Sequence, residues 1–391
     1  MKRALHKNRW NRPFILIAVG AFVLLGACCK PHHPTVVAER SLLIYMAADN
    51  DLSAESYDNI EQLKQGFIPK NGNILIYQDA ANAPPRLFRL VKRGANVEEE
   101  LIETYAEENS ADPQVLSRCL LQMRELYPAK EYALILWSHA TGWLPYGTYG
   151  NSSALSLQAA PDNVQYPKVK TFGRDGKQEM ELDQLALAIP YPLSFILFDA
   201  CLMGGIEVVY ALREVTDWIV ASPAEVLAAG FPYDQIMQPI FLPQANLEEV
   251  CNVYYRFYND QTGLFRSATI ALYNTAALPP LQASLTSIFK AHRDEVNQFV
   301  PNQLQYYDRL NVHLFYDLDD FISRIASPQE YAVFLAALNK VVTYKWATPS
   351  FITIPINHYS GITTYIPSGA QPILRAAYKE TAWNRAVGLV E

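Results

Sequence analysis

The segment Ser194–Gly205, SFILFDACLMGG, limits the possible folds of this chain more than any other. The residues before Asp199 carry no charge and are mostly apolar, which is typical of a strand buried on both faces of a parallel sheet. The apolar pattern breaks at Asp199 and resumes from Ile206 at helical spacing, so Cys201 is predicted where a strand ends and a helix begins. Active sites of open α/β proteins lie at the carboxyl ends of the strands. The positive end of a helix dipole also favours a thiolate over a thiol. Cys201 is therefore a candidate nucleophile.

A second uncharged strand is predicted for Tyr132–Trp137, and Ser138 and His139 follow it. The carboxyl ends of parallel strands meet at one edge of a sheet, so the pattern predicts that His139 and Cys201 share a rim as general base and nucleophile. The alternative is that Cys201 is an inert buried thiol and His139 a structural residue. Alternating strand and helix patterns predict an α/β fold with a mainly parallel sheet and helices on both faces.

Several motifs are similar to those of one enzyme family. They are LLIYMAADN (Leu42–Asn50), WSHATGW (Trp137–Trp143), FGRDGKQEM (Phe172–Met180), FDACLMGG (Phe198–Gly205) and ASPAEVLAAGFPY (Ala221–Tyr233). Together they resemble the clostripain family of cysteine peptidases, which shares the caspase-like fold with gingipains and legumain. The resemblance implies a caspase-like α/β/α sandwich with a C-terminal α+β extension. It also implies that His139 and Cys201 form the dyad of an endopeptidase that needs no cofactor.

The sequence departs from the family pattern beside the predicted base. The family's histidine is usually followed by glycine, whose backbone N–H helps to form the oxyanion hole, whereas this chain has Ala140. The resemblance assigns the oxyanion hole to the backbone N–H groups of Ala140 and Cys201. Alanine keeps that N–H, so the hole is preserved unless the position requires a positive φ.

The resemblance also implies a substrate pocket for Arg or Lys, formed with the help of Asp199. Side chains two residues apart on a strand point to one face, so Asp199 and Cys201 are predicted to flank the same cavity. The alternative is that Asp199 caps the next helix or accepts backbone hydrogen bonds. Family members commonly carry acids in the segment after Ser222, where this chain has Ala224 and Ala229 and only Glu225 as an acid. Glu225 is the second candidate pocket residue.

Residues 1–27 are predicted to be a lipoprotein signal peptide, because basic residues precede an apolar run from Phe14 to Leu25 that is too short for a transmembrane helix. The run ends in Gly26-Ala27-Cys28, which resembles the lipobox in which a cysteine is lipidated and becomes the mature N-terminus. Residues 28–40 are then a lipidated tether, and the protein is expected in the bacterial cell envelope, periplasmic or surface-exposed. The alternatives are an uncleaved anchor and an ordinary signal peptide.

Composition excludes some partners. Loss of the five basic residues of the signal peptide leaves 27 Lys and Arg against 39 Asp and Glu, a net charge of −12, so nucleic acid is not expected to bind. The acidic groups at Asp49–Asp51 and Asp317–Asp320 are interpreted as a polar turn and a helix start rather than as calcium sites. His292, His313 and His358 have no Cys or second His at zinc spacing, and the adjacent His32 and His33 are interpreted as a solvated linker rather than as metal ligands, so no metal is predicted. Cys119 and Cys251 lie on helical patterns and are interpreted as buried hydrophobic residues.

The predicted domains are a peptidase domain over residues 41–290 and an extension over residues 291–391 packed on it. Taken together, the sequence and the family resemblance predict an exported, lipid-anchored cysteine endopeptidase that cuts proteins or peptides after Arg or Lys. The alternative is an inactive surface lipoprotein of the same fold that binds peptide or protein. Trp143–Met180 is a long polar segment with four basic residues, Lys168, Lys170, Arg174 and Lys177, and a self-cleavage is predicted there because some members of the family mature in this way.

Overall fold

The structure is a computed structural model that describes residues 37–148, 166–169, 178–367 and 371–391. The predicted signal peptide and Cys28 lie outside the described residues. The described residues form one compact unit. Among the described helices, none combines the length and the apolar character needed to cross a bilayer.

The described strands are β1 (Ala38–Ala48), β2 (Gly72–Ala80), β3 (Arg86–Arg93), β4 (Asn96–Thr104), β5 (Ala129–Trp137), β6 (Phe195–Asp199), β7 (Trp218–Ala221), β8 (Thr269–Asn274), β9 (Tyr316–Asp317), β10 (Val342–Ala347), β11 (Ser350–Phe351), β12 (Ile354–Pro355) and β13 (Thr363–Thr364). The described helices are α1 (Ser53–Gln65), α2 (Pro113–Leu126), α3 (Leu182–Ala188), α4 (Ile206–Ala211), α5 (Tyr233–Ile240), α6 (Leu247–Asn259), α7 (Leu278–Ala291), α8 (Arg293–Gln298), α9 (Leu318–Ile325), α10 (Pro328–Val341), α11 (Pro372–Lys379) and α12 (Ala382–Val387).

The central feature is a nine-stranded sheet with the order β10-β8-β7-β6-β5-β1-β2-β3-β4. Its middle strands β2, β1, β5, β6 and β7 are parallel, and the pairs outside them are antiparallel. The register aligns Met46 with Trp137 and Trp137 with Asp199. The segments that follow β1, β5 and β6 therefore begin at one rim of the sheet, and the predicted mainly parallel α/β fold is confirmed.

The strands are uncharged in sequence because both faces of the sheet are covered. Along β1, Leu43 and Tyr45 enter one core while Leu42 and Ile44 enter the other. All four side chains are buried, and full burial of a large apolar side chain contributes about 1.5–3 kcal/mol before entropic costs. This two-sided burial fixes the ends of the parallel strands, and with them the rim.

One sheet edge differs from the sequence prediction. Charged and apolar residues alternate over Arg86–Val91, which predicts an edge strand, but β4 pairs outside β3 and forms the edge. The acid-rich β4 is held partly by cross-strand ion pairs, with Arg86 to Glu99 at 2.5 Å and Arg89 to Glu100 at 2.6 Å. The prediction missed β4 because its strand pairing depends on charges rather than on an apolar face. Such an edge also discourages pairing with another chain.

The residues after 290 contribute directly to the sheet and to the rim. Strand β10 pairs with β8 inside the main sheet. Near Cys201, the N–H of Thr363 donates to the carbonyl of Gly204 at 3.0 Å. The sequence pattern around residues 281–299 predicts one helix, whereas the structure has two, α7 and α8, which meet at His292.

Candidate active site

Cys201 lies in a loop between β6 and α4. The helix starts only at Ile206, with Gly205 as its N-cap, so the predicted position of Cys201 at a helix N-terminus is wrong. A dipole effect falls off within the first turn, so α4 is not a source of thiolate stabilisation here. Leu202 has a positive φ of 61°, and this left-handed residue turns the chain directly after the cysteine.

The thiol of Cys201 is covered by the loop after β7, residues 222–231, which we call the covering segment. Cys201 has no solvent exposure. Its Sγ accepts a hydrogen bond from the Val226 N–H at 3.1 Å and lies 3.7 Å from the Val226 carbonyl oxygen. The nucleophile loop is also tied to this segment where the Leu202 N–H donates to the Ala224 carbonyl at 2.9 Å. A peptide can reach the sulfur only if the covering segment moves.

His139 lies in the neighbouring loop, after β5. Its Nε2 is 2.8 Å from Oδ1 of Asp51, and the adjacent Ser138 hydroxyl donates to the Ala47 carbonyl at 2.8 Å. Gly142, with φ of 63°, lies against the nucleophile loop, since a Cβ added there would be 2.7 Å from the Leu202 carbonyl oxygen. The histidine and cysteine loops are therefore in direct contact at the rim.

The replacement of glycine by Ala140 introduces no left-handed strain. The described non-glycine residues with positive φ are Asn82, Leu202 and Ile352, and Ala140 is not among them. An alanine therefore fits the backbone as it stands, and its N–H remains a candidate oxyanion donor.

The two acids predicted for a substrate pocket are both buried, but they have different partners. Oδ2 of Asp199 accepts hydrogen bonds from the Tyr233 hydroxyl at 2.9 Å and the Phe231 N–H at 3.4 Å. Both oxygens of Glu225 accept from the Arg309 guanidinium, at 2.6 and 3.0 Å. Burial raises the pKa of Glu225, and the pairing with Arg309 opposes that rise. In this conformation Glu225 is committed to an internal ion pair.

Residues 166–169, which we call the strap, lie on the covering segment. Val169 forms an antiparallel bridge with Leu227, and the Ala228 N–H donates to the Lys168 carbonyl at 2.8 Å. The Lys168 ammonium binds the Asp51 carbonyl and, at 2.7 Å, a carboxylate oxygen of Glu55. Lys168 comes from the segment predicted to be cleaved; Lys170, Arg174 and Lys177 lie outside the described residues.

The Arg309 guanidinium also lies 5.5 Å from the ring centroid of Tyr166, at the start of the strap. The sequence did not identify Arg309 as a partner of Glu225, because the residues around Arg309 in the chain form no recognisable motif. It also missed the contact of Asp51 with His139, although the acidic cluster Asp49–Asp51 gave a signal.

A pocket at this rim is lined by His139, Ala140, Ala200, Met203 and neighbouring apolar residues such as Leu136. Neither Asp199 nor Cys201 belongs to its wall. Those two side chains instead contact the covering segment.

One group of described residues could hold a metal ion, namely Asp317, Asp319 and His358. Asp317 already accepts the backbone N–H groups of Asp319 and Asp320 as the N-cap of α9. His358 lies 2.9 Å from Asp319, whose carboxylate raises the pKa of the imidazole. A helix cap joined to an ion pair accounts for this arrangement, and it lies outside the described rim contacts.

The sequence profile of the clostripain family matches residues 44–384. The chain belongs to the clostripain family. The match includes both loops and most of the C-terminal residues, so the resemblance noted from the motifs is confirmed.

Solved structures of relatives cover most of the chain. An inactive zymogen C11 protease from Parabacteroides distasonis is 34% identical, with a TM-score of 0.79 over 90% of this chain and 99% of that one. A secreted C11 cysteine protease from Bacteroides thetaiotaomicron, iotapain, is 26% identical, with a TM-score of 0.78 over the same shares.

A relative known by its sequence is clostripain from Hathewaya histolytica, which is 25% identical over 233 residues. The match covers 51% of this chain and 42% of that protein, so it spans less than half of that relative.

Proposed function

We propose that this protein is a cysteine endopeptidase in which His139 is the general base and Cys201 the nucleophile. The observation that carries the proposal is the direct contact of the two loops at Gly142 and Leu202, at the rim where β5 and β6 end. A nucleophile and a base on adjacent loops of a rigid sheet are the minimum that this chemistry needs. Membership of a family that contains cysteine proteases supports the same assignment.

The reaction follows from these groups. His139 takes the thiol proton, and the sulfur of Cys201 attacks the scissile carbonyl carbon. The backbone N–H groups of Ala140 and Cys201 stabilise the oxyanion. His139 then protonates the leaving amine, and water hydrolyses the thioester, which restores the thiol. Every step uses groups of the chain and water.

For the substrate, we propose cleavage after Arg or Lys, with Asp199 as the recognising acid. Asp199 and Cys201 both contact the covering segment, as expected if they flank one cavity. Movement of this segment would withdraw the Phe231 N–H from Asp199, and the buried carboxylate, still bonded to the Tyr233 hydroxyl of α5, could then accept a substrate cation. Glu225 contributes only if its pair with Arg309 opens.

We further propose that the structure shows a latent form, which is activated by self-cleavage between Trp143 and Met180. Two observations support this: the sulfur of Cys201 is buried beneath Val226, and the strap holds the covering segment from outside. The similar protease from Parabacteroides distasonis was solved as an inactive zymogen. Wild-type protein that cleaves peptide while remaining one chain on a denaturing gel would refute self-activation.

We propose that the mature protein is attached to a membrane through lipid on Cys28. A diacyl anchor contributes about 0.8 kcal/mol per buried methylene, which is enough for stable attachment. Cys28→Ser is expected to release the protein from the membrane fraction. If the variant stays there with its first residues uncleaved, the segment is a membrane anchor instead.

A thiol-reactive peptide ketone ending in Arg tests the peptidase proposal. We expect it to label Cys201 of the matured protein much faster than the buried Cys119 and Cys251, and we expect His139→Ala to abolish the difference. The matched control is an identical ketone ending in Glu. Equal, slow labelling of all three cysteines would instead favour an inactive protein that binds peptide.

A further inference from the structure

The acidic turn after β1 contains a side chain that contacts the proposed base. Oδ1 of Asp51 lies 2.8 Å from Nε2 of His139, and the two side chains are 69% and 5% exposed. An exposed carboxylate thus reaches inward to a buried imidazole. If Asp51 served only to form the polar turn, its carboxylate would take part in the hydrogen bonds of that turn.

The turn is built by other groups. Oδ1 of Asn50 accepts the Leu52 N–H at 2.9 Å, and Nδ2 of Asn50 donates to the Ala47 carbonyl at 3.1 Å. The Ser53 N–H donates to the Asn50 carbonyl at 3.2 Å, and the Ser53 hydroxyl accepts the Ala81 N–H. Asn50 and Ser53 therefore form the turn, and the described hydrogen bonds of the turn do not use the Asp51 carboxylate.

The sheet register brings Asp51 to His139. Strands β1 and β5 are adjacent and parallel, with Met46 opposite Trp137. The hydrogen bond from Ser138 to the Ala47 carbonyl fixes the start of the histidine loop on the end of β1. The register of these two buried strands therefore brings the turn after β1 next to the histidine loop.

We infer that Asp51 is a positioning residue for His139. When the Nε2–H of His139 donates to the Asp51 carboxylate, the neutral ring is held in the tautomer whose lone pair is on Nδ1. The same carboxylate stabilises the imidazolium that forms when the thiol proton is taken. This inference rests on the proposed function, since it assigns a role in that reaction, but the contact itself can be tested without activity.

Two other charged groups face this pair and enter any pH dependence. Lys168, from the strap, binds the Asp51 carbonyl, and Glu55, on α1, pairs with Lys168. The Lys168 ammonium, bound at the backbone carbonyl of Asp51, is a nearby positive charge that opposes a second positive charge on the imidazole, and this opposition ends if the strap leaves. Measurements should therefore compare the latent and matured forms.

The test compares Asp51→Asn with Asp49→Asn, a matched control that removes the same charge from the same turn. The titration of His139 is followed by NMR in a Cys201→Ala background, and its signal is assigned by its loss in His139→Gln. We expect Asp51→Asn to lower the pKa of His139, and Asp49→Asn to leave it nearly unchanged. Thermal unfolding should not change, because Asp51 is largely exposed. Equal titrations in the two variants would overturn the inference.

The kinetic readout uses matured protein with an intact thiol. Asp51→Asn is expected to lower kcat by about 10- to 100-fold, less than the roughly 10⁴-fold effect of a buried triad aspartate, because water competes at an exposed carboxylate. KM should change little, and the limb of the pH profile that reports His139 should move to lower pH. Unchanged kcat would overturn the inference. A wild type without peptidase activity would overturn the proposed function, while the NMR titration would still decide the contact.

Discussion

The two loops that carry the proposed dyad are held in opposite ways. Cys201 has no solvent exposure and is held by backbone groups of Val226, whereas the contact of His139 to Asp51 is made by a side chain that is 69% exposed. A backbone contact breaks only if a segment moves, while an exposed carboxylate can exchange with water at once. Under the proposal of a latent form, the restraint therefore lies on the cysteine side, where Val226 covers the sulfur, rather than on the histidine side.

The largest expected effect comes from deleting either member of the dyad. Cys201→Ala should abolish peptide hydrolysis, and His139→Ala should be comparably severe, because the members of a catalytic unit fail together. Losing one buried sulfur with a weak hydrogen bond costs only about 1 kcal/mol of folding free energy, so thermal unfolding should stay cooperative. Cys119→Ala, a buried cysteine on α2, is the matched control. If Cys201→Ala still hydrolyses peptides, the covered sulfur is not the nucleophile, and the comparison of the two loops says nothing about activity.

The next effect concerns Asp199. Asp199→Asn is expected to reduce cleavage after Arg or Lys by roughly 100-fold or more, because an unpaired substrate cation in a buried site costs about 2–5 kcal/mol. Tyr233→Phe removes a hydrogen-bond donor to the same carboxylate without changing its charge, so it should retain the preference. A peptide library gives the measurement. Efficient wild-type cleavage after apolar or acidic residues would show that Asp199 is structural.

The ion pair between Glu225 and Arg309 tests where the cover is fixed. Its side chains are 1% and 4% exposed, so removing either one alone should destabilise the fold by about 3–5 kcal/mol. The double variant Glu225→Met with Arg309→Met should recover most of that stability yet release Val226 from a fixed neighbour. In a His139→Ala background, which remains uncleaved, we expect iodoacetamide to alkylate Cys201 at least tenfold faster in the double variant.

A control for this experiment is the pair of Arg40 and Glu131, at 2.5 Å, in strands β1 and β5. Replacing both residues by Met should change stability without changing the alkylation of Cys201. Equal alkylation rates in the two double variants would mean that the cover opens by general loosening of the fold. The covering of Cys201 would then no longer distinguish its loop from the loop of His139.

The smallest effect is expected for the strap. The pair of Lys168 and Glu55 is partly exposed, at 42% and 22%, so it contributes less than about 1 kcal/mol. Lys168→Ala, in the same uncleaved background, should raise the alkylation rate of Cys201 only a few-fold. Glu55→Gln removes the same pair from the other side and should match it. An increase as large as that of the Glu225 and Arg309 double variant would move the main restraint from the buried pair to the strap.

The parts of the molecule that could be predicted from sequence are those in which local pattern and burial agree. The strands ending before His139 and Cys201 are uncharged because both of their faces are covered, and Asp112 caps α2 as its Asp-Pro start suggests. Ser53 was a plausible N-cap for α1, yet the helix begins at Ser53 and its N-cap is Leu52. Its hydroxyl binds the Ala81 N–H instead, a contact from another strand that no local rule contains.

Two side-chain pairs near the proposed site could not be predicted from the sequence. Glu225 and Arg309 are 84 positions apart, and Asp51 and His139 are 88 apart. Residues so far apart in the chain produce no periodic pattern that would indicate a contact. An acid in a family motif is also equally consistent with binding a substrate cation and with pairing to an internal arginine. Only the packing of the fold distinguishes a pocket acid from a paired one.

The bond from Thr363 to Gly204 has a consequence for biosynthesis. A chain that emerges N-terminus first presents His139 and Cys201 long before Thr363, the residue that completes the nucleophile loop. At roughly 5–20 residues per second, the interval between Cys201 and Thr363 lasts on the order of 10–30 s. During that time the nascent chain holds both reactive side chains without a finished site. The loop of Cys201 is therefore completed only by residues that are synthesised well after the proposed dyad, whether the chain folds during synthesis or after export.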